Sequence, residues 1–187
     1  NGIETSWQAS HDHMVIPASA FVRGQNSIEL EFDAGDEAFN RNSDFLYALF
    51  VPDRAHFSLP LFDQPNLKGR VTWAVTVPEN WRVIANGPEL TTTKTRQQTH
   101  FEFKETEPMP SYLFAVAAGK FEIETSVING REFNMFHRET DAEKVALNRD
   151  AIFQLHADAL EWLEDYTDID YPFQKFDFVL IPSFQYG

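Results

Sequence analysis

None of the 187 residues is cysteine. Disulfides and thiolate zinc sites are therefore excluded. No apolar run reaches the roughly 18–20 residues of a membrane-spanning helix. Basic charge is also scarce: 15 Lys and Arg stand against 29 Asp and Glu, a formal net charge of −14. A nucleic-acid partner needs a basic face, so that class is set aside. The acidic residues form no tail and are read as solvating the fold. The chain opens Asn1-Gly2-Ile3-Glu4, with neither a start methionine nor a signal peptide, and its last residues lack a polar fade-out. Both ends are therefore expected to be cut from a longer polypeptide. No internal repeat or low-complexity segment occurs.

Motifs that carry reactions are missing too. HExxH, GxSxG, GxGxxG and a phosphate-binding loop are all absent, so the residues alone assign no reaction. His11 and His13 stand at i and i+2, which on a strand is one face, and both could bind one metal ion. No third ligand can be nominated, and paired surface histidines are the plainer reading. His156 has no second histidine at i+4 and reads as a helix-surface or packing residue. Trp7, Trp73, Trp81 and Trp162 could line a sugar platform, but core or rim packing fits their surroundings better.

What is present is core material. Hydrophobic residues make up 43% and aromatics 14%, with 18 Phe. Phe favours strands and buries a large area per residue. Ile28, Leu30 and Phe32 alternate with polar residues, as do Val71, Trp73, Val75 and Val77, then Phe101 and Phe103. This period of two predicts strands with one buried face. Tyr112–Ala118 is almost wholly apolar and is expected to be buried on both faces. Phe121, Ile123 and Thr125 start another strand. Asn129-Gly130 marks a hairpin, because both residues accept the positive φ of a type I′ turn.

The pattern changes after about residue 138. Thr140 and Glu143 have capping-box spacing, with Thr140 as N-cap. Val145, Ile152, Leu155, Ala159, Trp162, Leu163 and Tyr166 then fall at helical spacing. One long helix is expected over about Asp141–Tyr166, with Tyr171-Pro172 barring any continuation. Phe176–Ile181 reads as a buried strand. The fold class is mainly β: an antiparallel sandwich, then a strand–helix–strand start of a mixed α/β domain.

Three stretches are more specific. Phe50-Val51-Pro52-Asp53-Arg54-Ala55-His56-Phe57-Ser58-Leu59-Pro60-Leu61-Phe62-Asp63-Gln64-Pro65 resembles the F-E-P-x-x-A-R-x-x-F-P-C-F-D-E-P segment of the aminopeptidase N family of zinc peptidases. Met109-Pro110-Ser111-Tyr112-Leu113, followed by Gly119-Lys120-Phe121, is similar to that family's M-S-T-Y-L…G-x-F. Tyr171 to Gly187 resembles Y-P-x-x-K-x-D-x-V-x-I-P-x-F-x-x-G. These anchors run in order over about residues 44–187.

The resemblance implies an N-terminal β-saddle domain at 1–136 and, at 137–187, the opening of a thermolysin-like catalytic domain. Gly187 aligns with the first glycine of the family's GxMEN motif, which implies a backbone contact to substrate. It is the one candidate site residue, and no catalytic or metal-binding residue is expected in the chain. Zinc is implied for the parent protein through a downstream HExxH, with none expected in these residues. The implied partners are a peptide substrate and the remainder of the chain's own catalytic domain; self-association of the piece alone is expected. Two departures stand out. Leu49 and Val51 occupy positions where relatives carry groups that bind the substrate amine, and neither side chain can accept a hydrogen bond. Leu61 and Gln64 replace Cys and Glu around Asp63, which suggests a structural turn with Asp63 bonding nearby backbone. Two rivals remain: an epoxide-hydrolysing relative on the same scaffold, and a non-catalytic β module for binding or scaffolding.

Overall fold

The structure, a computed structural model, describes residues 3–11 and 13–181. Two compact units are present, Asn1–Asp33 and Ala34–Gly187. In the first, β1 (Gln8–Ser10) and β2 (His13–Val15) form an antiparallel hairpin. His11 sits in its turn at φ 53°, so His11 and His13 do not share a strand face as their spacing suggested. The expected strand through Ile28, Leu30 and Phe32 does not form. These residues carry no ladder and are exposed. Alternation supplies a strand's apolar face but not the neighbour that its N–H and C=O groups require.

The second unit is built in layers. Its central sheet has the order β3 (Phe39–Arg41), β4 (Phe45–Ala48), β9 (Val116–Gly119), β6 (Arg82–Ala85). Successive side chains of a strand point to opposite faces, and here both faces are apolar and covered. One face packs Val83, Ala85, Val116 and Ala118 against Val77, Phe101 and Phe103. Those last three belong to a second antiparallel sheet, β5 (Ala74–Pro78), β8 (Gln98–Phe103), β7 (Glu89–Lys94). The other face packs Phe45, Tyr47, Ile84 and Ala117 against Phe121 and Phe136. The apolar run ending at Ala118 is thus buried on both faces from Val116 on, while the exposed Tyr112 and Leu113 form a single 3-10 turn with the buried Ser111. Gly119 is tight: an added Cβ would meet the Phe45 Cβ at 2.7 Å and the Asp44 carbonyl at 2.8 Å.

The third sheet joins β10 (Glu122–Ile128), β11 (Arg131–His137) and β12 (Phe176–Val179). Asn129 (φ 52°) and Gly130 (φ 79°) make the expected turn, with Ile128 paired to Arg131. In β10, the strand expected from Ile123 and Thr125, the half-buried face is Glu124, Ser126 and Ile128, while Ile123 and Thr125 point outward. Strands β11 and β12 pair in parallel, Phe133 with Phe176 and Phe136 with Val179. Between them runs α1 (Ala142–Thr167), the single α-helix among the described residues. The strand–helix–strand reading therefore holds.

The helix cap lies one residue later than expected. Asp141 is the N-cap, and its carboxylate accepts from the backbone N–H groups of Glu143 (3.0 Å) and Lys144 (3.1 Å). The reach-back role expected of Glu143 falls to Glu139, whose carboxylate accepts from the Thr140 and Asp141 N–H groups. Either residue type caps well, so the pattern alone leaves a one-residue ambiguity. The buried stripe is also rotated. Phe153, Ala157 and Leu160 pack on Phe133 and Met135, with Ile152 beside them. Leu147, Leu155, Trp162, Leu163 and Tyr166 are exposed. The helix is apolar on two sides, and periodicity cannot say which side the sheet covers.

Candidate functional site

A cleft of about 420 Å³ opens within the second unit. One wall comes from the central sheet: Tyr47 and Ala48 of β4, Ile84 and Ala85 of β6, Val116 and Ala117 of β9. A second wall comes from Glu105, Thr106, Glu107, Met109 and Leu113, and a third from the segment between Tyr171 and Ile181. Side chains that must be small or apolar for the sheets to pack thus give the cleft an apolar floor.

Polar groups hold the walls in place. Asn86 accepts from the Ala115 N–H at 2.5 Å and donates to the Leu113 carbonyl at 3.1 Å. Lys175 pairs with Asp177 at 2.6 Å and lies 5.5 Å over the Phe103 ring. Asn134 donates to the other Asp177 oxygen at 3.0 Å. The Tyr171 hydroxyl donates to the Lys175 carbonyl at 3.0 Å, and burial, then the Asp177 charge, raises the phenol above its ordinary range. Glu105 and Glu107 add carboxylates to the wall, 3.8 and 3.4 Å from Arg70. The arrangement suits a ligand with an apolar body, at a rim where Glu105 and Glu107 face Arg70 and Asp177 faces Lys175.

Arg131 clamps this region to α1. Its guanidinium makes paired bonds to Glu164 at 2.8 and 3.1 Å, and Glu164 also accepts from the Tyr171 N–H at 2.7 Å. Arg131 first, then that N–H, holds the Glu164 carboxyl below its ordinary value of 4.5. A depressed carboxyl stabilises the fold fully above its unfolded value and loses that contribution as pH falls through the folded one. An Arg131→Met variant is therefore expected to lose less stability than the parent between neutral pH and the acid range below 4.5. Urea unfolding at both pH values checks this; an unchanged acid slope would count against the clamp.

Gly187, the expected substrate contact, lies outside the described residues, as does everything from 182 on. Leu49 and Val51 follow directly on the cleft strand β4 and are both half-buried. The resemblance stretch at 109–113 forms part of the cleft wall through Met109 and Leu113. Of the histidines considered, His156 donates from Nδ1 to the Ile152 carbonyl at 2.8 Å and stacks on Phe178 at 4.0 Å, a packing role as expected. Trp73 and Trp81 pack on the core, whereas Trp7 and Trp162 are exposed.

One group went unnoticed in the sequence. Asp53, His56 and Asp63 bring a ring nitrogen and two carboxylate oxygens within 4.8 Å of one another. Their D-x-x-H-x6-D spacing fits neither a helix nor a strand, because a 3-10 turn at Ala55–Phe57 and then Pro60 bend the chain between them. Asp63 does bond backbone, accepting from the His56 N–H at 3.1 Å, and its other oxygen takes the Ser111 hydroxyl at 2.5 Å. Burial pushes its carboxyl up, but the Ser111 and His56 bonds together bring it below the ordinary value. None of the three lines the cleft.

Residues 40–113 match the family model described as the peptidase M1 N-terminal domain. An aminopeptidase N from Streptomyces lividans is 33% identical over 148 residues, 76% of this chain and 16% of its own length. A leucyl aminopeptidase from Saccharolobus solfataricus is 29% identical over 138 residues, 74% of this chain and 17% of its own. A puromycin-sensitive aminopeptidase from Caenorhabditis elegans is 26% identical over 141 residues, 74% of this chain and 14% of its own. The chain thus spans about one-sixth of the length of the relatives it matches.

Proposed function

Because the chain belongs to the M1 aminopeptidase family, we propose that it is part of a longer zinc-dependent aminopeptidase that removes N-terminal residues from peptides. Residues 1–136 serve as the β-saddle domain and 137–187 open the thermolysin-like catalytic domain. The residues present do not fit the catalytic zinc: no HExxH occurs among them, and no step through the metal is assigned to this chain. Its own work is to bind and orient. The apolar floor takes a substrate side chain, and the wall carboxylates Glu105 and Glu107 attract the N-terminal ammonium. Gly187 contacts substrate through its backbone.

The observation that carries this reading is the cleft between the central sheet and the 171–181 segment, the stretch that leads to Gly187. The exposed face of α1, with Leu147, Leu155, Trp162, Leu163 and Tyr166, is where the remainder of the catalytic domain docks. Without that cover the 187-residue chain self-associates, as exposed apolar patches of this kind tend to do.

Paired assays of the longer protein and the 187-residue chain on aminoacyl anilides test the proposal. The longer protein is expected to cleave them and to stop when a chelator removes its metal. The chain alone is expected to be inactive and, in sedimentation, larger than a monomer. A longer protein that, with zinc supplied, releases no amino acid would leave the scaffold or epoxide-hydrolysing reading in its place.

A further inference from the structure

The Asp53, His56 and Asp63 group raises a separate question, independent of the aminopeptidase reading. His56 Nδ1 lies 3.0 Å from Asp63 Oδ2 and 3.7 Å from Asp53 Oδ1. When the ring carries its proton on Nε2, Nδ1 and a carboxylate oxygen are both acceptors. With the proton on Nδ1 the ring donates an ordinary hydrogen bond to Asp63 at 3.0 Å; with it on Nε2, a cation between the two acceptors takes that proton's place. The Asp53 oxygen is too distant for a hydrogen bond. Its separation instead suits neighbouring ligands around an ion bound at roughly 2.0–2.2 Å.

Asp63 is already positioned to bind. Its side chain is 7% exposed, and the Ser111 hydroxyl and the His56 N–H orient its two oxygens. Asp53 is the opposite: its side chain is 90% exposed, which leaves a path from solvent. With a neutral imidazole the group offers two negative charges, matching one divalent ion.

We propose that Asp53, His56 and Asp63 form a divalent-cation site outside the cleft, binding through His56 Nδ1 and one oxygen of each carboxylate. One imidazole and two carboxylates suit a borderline or moderately hard ion of the Zn²⁺ or Mn²⁺ class. Three protein ligands leave at least one position for water. The site is structural: through Asp63 and Ser111 it ties the 53–63 loop to the turn at Ser111–Leu113, next to the cleft wall.

Calorimetric titration of the chelator-stripped chain with Zn²⁺ tests this. The variants are Asp53→Asn, His56→Gln, and a His11→Gln/His13→Gln double substitution as control for casual surface binding. The parent and the double variant are expected to bind one Zn²⁺ alike. Asp53→Asn should weaken binding by at least about tenfold, the loss typical of changing a group that merely orients a ligand, and His56→Gln should remove it. Asp53 is exposed, so thermal melting should show that its variant keeps the fold. The His56 ring resonances in NMR should shift on adding Zn²⁺. No uptake by the parent at millimolar Zn²⁺ overturns the site. So does uptake that persists in both Asp53→Asn and His56→Gln, or that disappears with His11 and His13.

Discussion

Truncating Phe153 to alanine is expected to cost about 3–5 kcal/mol, the range for removing a buried aromatic ring and leaving a cavity. Its side chain is among the most enclosed in the molecule, at 1% exposure. It packs edge-on to Phe178 at 5.8 Å, and the Arg149 guanidinium lies 5.6 Å from the ring centre. Phe133, Met135, Ala157 and Leu160 complete the cluster between α1 and the third sheet. These neighbours sit on a helix and two paired strands and cannot all collapse into the gap. Domains of this size have only about 5–15 kcal/mol in total, so the loss would be a large share of the whole. Leu155 is the control. It is two residues away and 67% exposed, and its truncation should stay within about 0.5 kcal/mol. Urea unfolding of the three proteins decides the matter. Equal losses at 153 and 155 would mean that α1 presents a different face to the sheet.

That comparison also marks where sequence reasoning stops. The helix itself was legible in its spacing and in the turn residues on either side, and its ends agree to within one residue. Its buried face was not. Apolar residues occur on both sides of α1, and the choice between them belongs to the sheet beneath. The hairpin at Asn129-Gly130 was legible because a positive φ at two adjacent residues narrows the residue choice sharply. The strand at Ile28–Phe32 was not, since alternation describes one side of a strand and pairing is a property of its neighbour. The candidate site divides in the same way. The stretches at 50–65, 109–113 and 171–187 pointed to the family, and two of them contribute to the cleft wall. The carboxylates at Glu105 and Glu107 carried no motif and reach the cleft wall through a loop after β8 that bonds to residues 69–71. Asp53, His56 and Asp63 meet through a 3-10 turn, a route that no regular period reveals.

In the longer zinc-dependent aminopeptidase proposed above, Val51→Glu is expected to lower KM for peptides with a free N-terminus by roughly tenfold to a hundredfold. A hydrogen bond to a charged group contributes about 1.5–3 kcal/mol, and each 1.4 kcal/mol is about a factor of ten. The position follows from the chain's course. Strand β4 brings Tyr47 and Ala48 to the cleft, and Val51 lies three residues on, where the resembling family segment has Glu. The valine side chain offers an ammonium nothing to bond, so under that proposal amine recognition rests on other carboxylates. Adding one here supplies charge that the substrate end lacks. Leu49→Gln should act in the same direction but more weakly, because an amide carries no net charge. N-acetylated peptides are the discriminating control: they have no ammonium, so their binding should not improve. If Val51→Glu tightened blocked and free peptides alike, the gain would come from a changed cleft shape, and the assignment of amine recognition to this stretch would fail. If neither changed while the variant stayed folded, Val51 would lie too far from the substrate end, and Glu105 and Glu107 would be the groups to substitute next.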